Sequence, residues 1–203
     1  MTNSSATPAT LFVGGTSALD IATAGSAVFD GMLTAATPLN LSVTKVGAST
    51  LTLNGSSNYT GNTLVSSGRL NVNGALGATI VTVNAGATLG GTGSIGVNAI
   101  TPGGLFQTTG GGVTLNGGLF DLTNGSVGTF TVSSAGTTAS LTVGAGSSLK
   151  FDLSNSVVDR IDLGNNSLQS NGTGVVVNFT QLPTTTLANG IYNLITFGAG
   201  AGT

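Results

Sequence analysis

The 203-residue chain carries four Lys or Arg and six Asp, no Glu, His, Cys or Trp, and a formal net charge of −2. A charged share of 5 %, against the ~25 % of ordinary globular domains, leaves no field to attract phosphate or anionic lipid, so nucleic acid is excluded as a partner. Without His or Cys a zinc site lacks its usual ligands and a serine triad its base, and with Glu absent and Lys and Arg scarce a helix has little to solvate its outer face; Thr, Ser and Asn suit strands and turns, so the expected fold is all-β.

Taken in chain order, the opening MTNSSATPATLFV lacks the basic and apolar regions of a signal peptide. No apolar run approaches the ~18 residues of a membrane span, so this segment is not expected to insert directly into a membrane. Between Ser17 and Leu41 the Ala, Leu and Met content suits a helix, but Gly25, Gly31, Pro38 and many Thr oppose one. Ala27-Val28-Phe29 and Leu39-Asn40-Leu41-Ser42-Val43 read as short strands. Further strands follow: Leu51-Thr52-Leu53-Asn54-Gly55, Leu70-Asn71-Val72-Asn73-Gly74, Val81-Thr82-Val83-Asn84, Val113-Thr114-Leu115-Asn116-Gly117 and Leu141-Thr142-Val143-Gly144. In each, apolar residues at i and i+2 share one face and Thr or Asn takes the other. Towards the end Leu149–Leu153, Arg160–Leu163, Val175–Phe179 and Ile191–Ile195 are longer and more apolar.

This rhythm alone also fits a sandwich or an up-and-down barrel. The turns decide. Asn54-Gly55, Asn73-Gly74 and Asn116-Gly117 are each followed by further small residues rather than directly by a returning strand, which makes them corners of a coil and not hairpins. Strands of three to five residues suffice in a solenoid, because stacking between coils buries the core. We expect one elongated domain over residues 1–203, a parallel β-solenoid of about eight or nine coils of roughly 20 to 25 residues, with 149–203 forming a broader C-terminal capping section.

Lys45-Val46-Gly47-Ala48-Ser49-Thr50-Leu51-Thr52-Leu53-Asn54-Gly55, then Asn58-Tyr59-Thr60-Gly61-Asn62-Thr63, then Gly68-Arg69-Leu70-Asn71-Val72 resembles the autotransporter passenger-associated β-strand repeat, K-x-G-x-G-x-L-x-L-x-G, N-x-Y-x-G-x-T, G-x-L-x-V. Ser49 departs from the pattern where a second Gly is usual, and Asn58 stands directly before Tyr59 rather than two residues before it. Asn84–Ile95 is similar to the element that follows in such proteins, and Phe151–Leu153, Asp159-Arg160 and Gly190–Ile195 to segments that close the arrays. The resemblance implies a right-handed parallel β-helix, extracellular or displayed at the surface of a bacterium with an outer membrane, and it implies no chemistry. Within it, Tyr59 is expected to lie over a rung beside a tight corner at which Gly61 takes a positive φ.

Other motifs carry little. Gly91-Thr92-Gly93-Ser94-Ile95-Gly96 is a literal G-x-G-x-x-G, but that fingerprint needs a following helix, and Val97–Pro102 offers none. Its overlap with a calcium nonapeptide fails where Ile95 replaces the required Asp. Asp152, Asp159 and Asp162, with Arg160 among them, are the one carboxylate concentration and the place where a calcium or enzyme reading would start. Strand alternation points Asp152 and Asp162 outward, as a solvated acidic and basic pair in a turn. Outward Thr52, Thr82, Thr114 and Thr142 resemble an ice-binding ladder, though at irregular intervals. No residue is singled out as catalytic, cofactor-binding or metal-binding, no cofactor is expected, and the chain reads as a non-catalytic structural or adhesive segment. Its candidate partners are other cell-surface material or further copies of itself, joined through solenoid edges into a fibre.

Overall fold

The computed structural model describes residues 10–13, 18–22, 25–35, 41–96, 111–134, 139–155, 157–183 and 185–197. The described residues form three long sheets, which the chain visits in rotation except where Val157–Val158 turns back antiparallel on the strand before it, and one two-stranded parallel sheet. The first sheet stacks Ala18–Ala22, Ser42–Val46, Thr63–Val65, Ile80–Asn84, Gly112–Asn116, Leu141–Gly144 and Leu168–Asn171. The second stacks Ala27–Phe29, Thr50–Leu53, Gly68–Val72, Ala87–Gly90, Leu119–Asp121, Ser148–Ser154 and Val176–Gln181. The third stacks Ser56–Ser57, Ala75–Leu76, Ser94–Ile95, Thr129–Val132, Arg160–Asp162 and Ile195–Thr196, and Met32–Ala35, paired with Thr10–Val13, lies next to its first strand through the Asn58 N–H to Leu33 carbonyl bond of 3.3 Å. This is a parallel β-solenoid of seven coils among the described residues. At ~4.8 Å per rung it rises roughly 30 Å.

The coil count is lower than the sequence suggested because the coils are not uniform. Val43, Thr63 and Val81 pair in register at intervals of 20 and 18 residues, whereas Val81, Val113, Leu141 and Leu168 pair at 32, 28 and 27. The strands themselves keep their register across these longer intervals. Leu39 and Asn40 lie outside the described residues, and the rung begins at Ser42. Of the apolar stretch 191–195, Ile195 is in a strand, which continues to Thr196, and the residues before it run irregularly. Val97–Pro102 also lies outside the described residues.

Alternation along each strand is what makes the core. Leu51 and Leu53, Leu70 and Leu89, Val81 and Val83, Val113 and Leu115, Phe120 and Phe151 are all buried, while the intervening Thr, Asn and Arg are partly exposed. Register then places like on like: Leu51 on Leu70 on Leu89 on Phe120 on Leu149 in the second sheet. Phe120 and Phe130 close the middle of the column edge to face, their rings 5.1 Å apart at 87°.

The corners explain the Asn-Gly pairs. Asn54-Gly55 and Asn73-Gly74 both turn from the second sheet to the third, and Asn116-Gly117 from the first to the second. A Cβ on Gly55, Gly74 or Gly93 meets the backbone of the same corner one coil earlier, so the column leaves no room for a side chain. Beside it, Asp30 Oδ1 accepts from Asn54 Nδ2 at 2.6 Å and Asn54 Oδ1 accepts from Asn73 Nδ2 at 3.0 Å. At the other end the inward row is uncovered: Leu168, Val177 and Phe179 are 39 %, 42 % and 49 % exposed although each pairs with a buried residue of the preceding coil.

Because burial per side chain is the main stabilising term, truncating an inward residue is expected to cost far more than truncating its outward neighbour. Leu89→Ala should lower the unfolding free energy by about 2–5 kcal/mol, and Thr88→Ala on the same strand by under about 0.5 kcal/mol. Urea denaturation followed by circular dichroism measures both, and equal losses would contradict the inward assignment.

Candidate functional site

The side chains with chemical potential fall into three groups, and each is engaged within the coil stack. Lys45 stands at an inward position of Ser42–Val46, two residues after buried Val43, and is itself fully buried. Its stem fills core volume and its ammonium curls into the corner. There Nζ donates to the carbonyls of Val46 (2.7 Å), Gly47 (2.8 Å) and, from the next coil, Ser67 (3.3 Å). Burial pushes its pKa below the ordinary lysine value. A carbonyl cage of this kind favours the charged form and ties two coils together.

Tyr59 lies inside the solenoid, fully buried, rather than over the rung. Its hydroxyl pairs with Thr63 Oγ1 at 2.8 Å, Thr63 Oγ1 with Thr79 Oγ1 at 2.9 Å, and Thr79 Oγ1 donates to the Gly61 carbonyl at 2.7 Å. The chain of hydroxyls therefore spans two coils and closes on itself. Gly61 is not at a positive φ: the reason for glycine is that a Cβ collides with the backbone of Leu41 in the preceding coil. Burial pushes the phenol up to about 12, against a smaller lowering by the Thr63 hydrogen bond.

The third group is carboxylate. Asp152 and Asp159 are each 1 % exposed, which overturns the solvated pair expected from alternation. Asp152 does point away from the solenoid core, but residues 122–128 fold over it, and its Oδ2 accepts the backbone N–H groups of Asn124 and Gly125, both at 2.8 Å. Asp159 accepts from Gly128 N–H at 2.8 Å and from Asp152 N–H at 2.7 Å. Burial pushes the Asp159 carboxyl up, its N–H donors pull it back, and the nearby Asp152 and Asp121 carboxylates push it up again. Asp162 instead accepts from Gly164 N–H and the Thr196 hydroxyl, and Arg160 donates to Thr129 Oγ1 at 3.1 Å rather than to a carboxylate. Among the described residues no group of three potential ligands converges on a metal position. The depression over Asp159, lined by Gly91, Leu122, Gly128 and Phe130, has room for about one water molecule.

An ion pair invisible to sequence reasoning crosses the second sheet. Arg69 Nη1 reaches Asp121 Oδ2 at 2.8 Å, two coils away, and its Nε donates to Asn71 Oδ1 at 2.6 Å. The guanidinium lies over Gly90, where a Cβ would meet it. Burial raises the Asp121 carboxyl, but hydrogen bonds from Thr123 and Arg69 outweigh it and hold the group below the ordinary carboxylate range. The Arg69 motif position is thus a strut between coils. Of the four threonines, Thr82, Thr114 and Thr142 stack in register on the first sheet, while Thr52 lies on the second, opposite Val28 and Asn71.

Lys45, Tyr59, Gly61 and Thr63 lie in one continuous segment. Residues 43–72 match the family model described as Passenger-associated-transport-repeat. The chain resembles such a repeat over that stretch. No curated protein and no solved structure gives a match to the chain. The match runs from Val43 in one coil to Val72 in the next, long enough to include both members of every hydrogen bond that Lys45 Nζ makes. Such a repeat implies a secreted or surface-displayed bacterial protein.

The sign of the Tyr59 linkage follows from its raised pKa. The neutral phenol contributes stability that is present in full below pH 10.0, the ordinary value, and is lost as pH rises from there towards about 12. That loss should reach about 2–3 kcal/mol. Tyr59→Phe should cost about 0.5–1.5 kcal/mol at neutral pH by removing one of the two hydroxyl partners of Thr63, which keeps Thr79, and should flatten the alkaline decline. Urea midpoints of both proteins across the alkaline range measure the difference, and parallel curves would remove Tyr59 as the cause.

Proposed function

We propose that the chain is a non-catalytic spacer or contact segment of an exported passenger, extending from the surface of a bacterium with an outer membrane. The observation that carries this reading is the fate of the repeat's own signature residues. Lys45, Tyr59 and Thr63 all spend their polar atoms on the coil stack, so the motif specifies a rod rather than a reaction centre. The carboxylates Asp152 and Asp159 likewise accept backbone N–H groups, which supports a structural role for the one acidic concentration.

The test is to place the chain between an outer-membrane anchor and an antibody tag in such a bacterium. Tag labelling on intact cells is expected, with loss of labelling when Leu53→Asp puts a charge inside a rung. Labelling that appears only after the cells are permeabilised would overturn the proposal.

Self-assembly into end-to-end fibres is the second reading, favoured by the uncovered inward row at Leu168, Val177 and Phe179. Each of the three last strands pairs on one side and offers its other edge for a parallel addition. Scattering should then show particles lengthening with concentration, and Phe179→Lys should suppress it. A monomer across the whole concentration series would exclude the fibre.

A further inference from the structure

The chain contains six Asn-Gly pairs, at 54, 73, 116, 124, 171 and 189, and all six asparagines are exposed. An Asn-Gly pair can convert itself: the glycine nitrogen attacks the asparagine side-chain carbonyl carbon, and glycine, lacking Cβ, gives the backbone the freedom to close that ring. The reaction needs the glycine N–H free and the backbone able to rotate. These two conditions separate the six sites.

Three of the glycine nitrogens are already committed. Gly74 N–H donates to the Leu53 carbonyl at 3.1 Å, Gly117 N–H to Ser147 Oγ at 3.1 Å, and Gly125 N–H to the buried Asp152 carboxylate at 2.8 Å. Gly55 and Gly172 are pressed on neighbouring coils, where a Cβ would collide with the backbone of Gly31 and of Ala145. Gly190 differs on both counts. A Cβ there meets nothing within 4 Å, and neither Gly190 N–H nor the Asn189 side chain has a hydrogen-bond partner among the described residues. The residues around it are held at their ends: Ala188 N–H donates to the Asn155 carbonyl at 2.9 Å, and the Tyr192 hydroxyl bridges the carbonyls of Asn155 and Ala188, both at 2.7 Å. Asn189, Gly190 and Ile191 form the free span between those anchors, with Ile191 92 % exposed.

We propose that Asn189 is a self-modification site, converted by Gly190 with water as co-reactant. Solvent base takes the Gly190 N–H proton as the nitrogen attacks Asn189 Cγ. The new N–Cγ bond forms, the Cγ–Nδ2 bond breaks, and Nδ2 leaves as ammonia after taking up a proton. Water then opens the succinimide at either carbonyl, leaving aspartate or isoaspartate. No residue after Asp162 carries a charge, so the product is the first charged side chain in the final coil. It stands at the end where the inward row is uncovered, and a carboxylate there opposes edge-to-edge joining.

The experiment is to hold the full chain at mildly alkaline pH, sample over days, and map each Asn-Gly peptide by mass spectrometry, in parallel with the chain in denaturant. Conversion registers as a gain of about one dalton with a split into two isomeric peptides. The folded chain should convert first at Asn189, by about tenfold over the other five, whereas the denatured chain should convert all six at similar rates. Gly190→Ala, open to substitution because nothing packs there, should slow Asn189 about tenfold while the fold stays intact by circular dichroism. Conversion of another pair ahead of Asn189, or one shared rate in folded and denatured chain, would overturn the assignment.

Discussion

Everything in this fold depends on the parallel register between coils. Each rung contributes two or three inward residues, too few to form a core alone, and burial is completed when the next rung lands on it with inward on inward. A slip of one residue would turn Leu51 and Leu53 to solvent and bring Thr52 inside. The corners therefore carry the specificity. Lys45, the Tyr59 hydroxyl chain, the Arg69 strut and the Asn54–Asn73 contact each join one coil to another across the stack, and all are satisfied in a single register.

The two buried carboxylates perform a similar task for the longer coils. Where coils lengthen beyond Ile95, residues between strands must be fixed by something other than ladder bonds. Asp152 and Asp159 hold 124–128 against the only antiparallel pairing between strands among the described residues, Leu153 on Val158 and Ser154 on Val157. The electrostatics of Asp159 pull in the opposite sense to those of Asp121. Asp121 contributes stability above the carboxylate range and loses it on acidification, while the raised Asp159 contributes below that range and loses it as pH rises.

Much of this was legible in the residues. The L-x-L-N-G rhythm, with Val in place of either Leu in some rungs, marks strand, inward face and corner together, and alternation places Leu53, Leu70, Val83 and Leu115 correctly. Coil number was not legible, because the period read from the early coils lengthens once residues are inserted between rungs, which alternation cannot register. Lys45 and Asp152 were missed for a shared reason. Alternation says which way a side chain leaves its strand and nothing about what covers it: Lys45 points in and finds carbonyls, and Asp152 points out and is roofed by a loop of the preceding coil. Arg69 and Asp121 are 52 residues apart, and the register that joins them exists only after folding.

The Asp30, Asn54 and Asn73 column has a direction. A carboxylate accepts and cannot donate, so Asp30 obliges Asn54 to present its amino group one way and its carbonyl the other, and Asn54 imposes the same orientation on Asn73. Amide dipoles stacked with one sense reinforce each other along the solenoid axis, as peptide dipoles do along a helix. One acidic residue at the start of such a column thus fixes the polarity of an electrical axis that grows with every asparagine corner added to it.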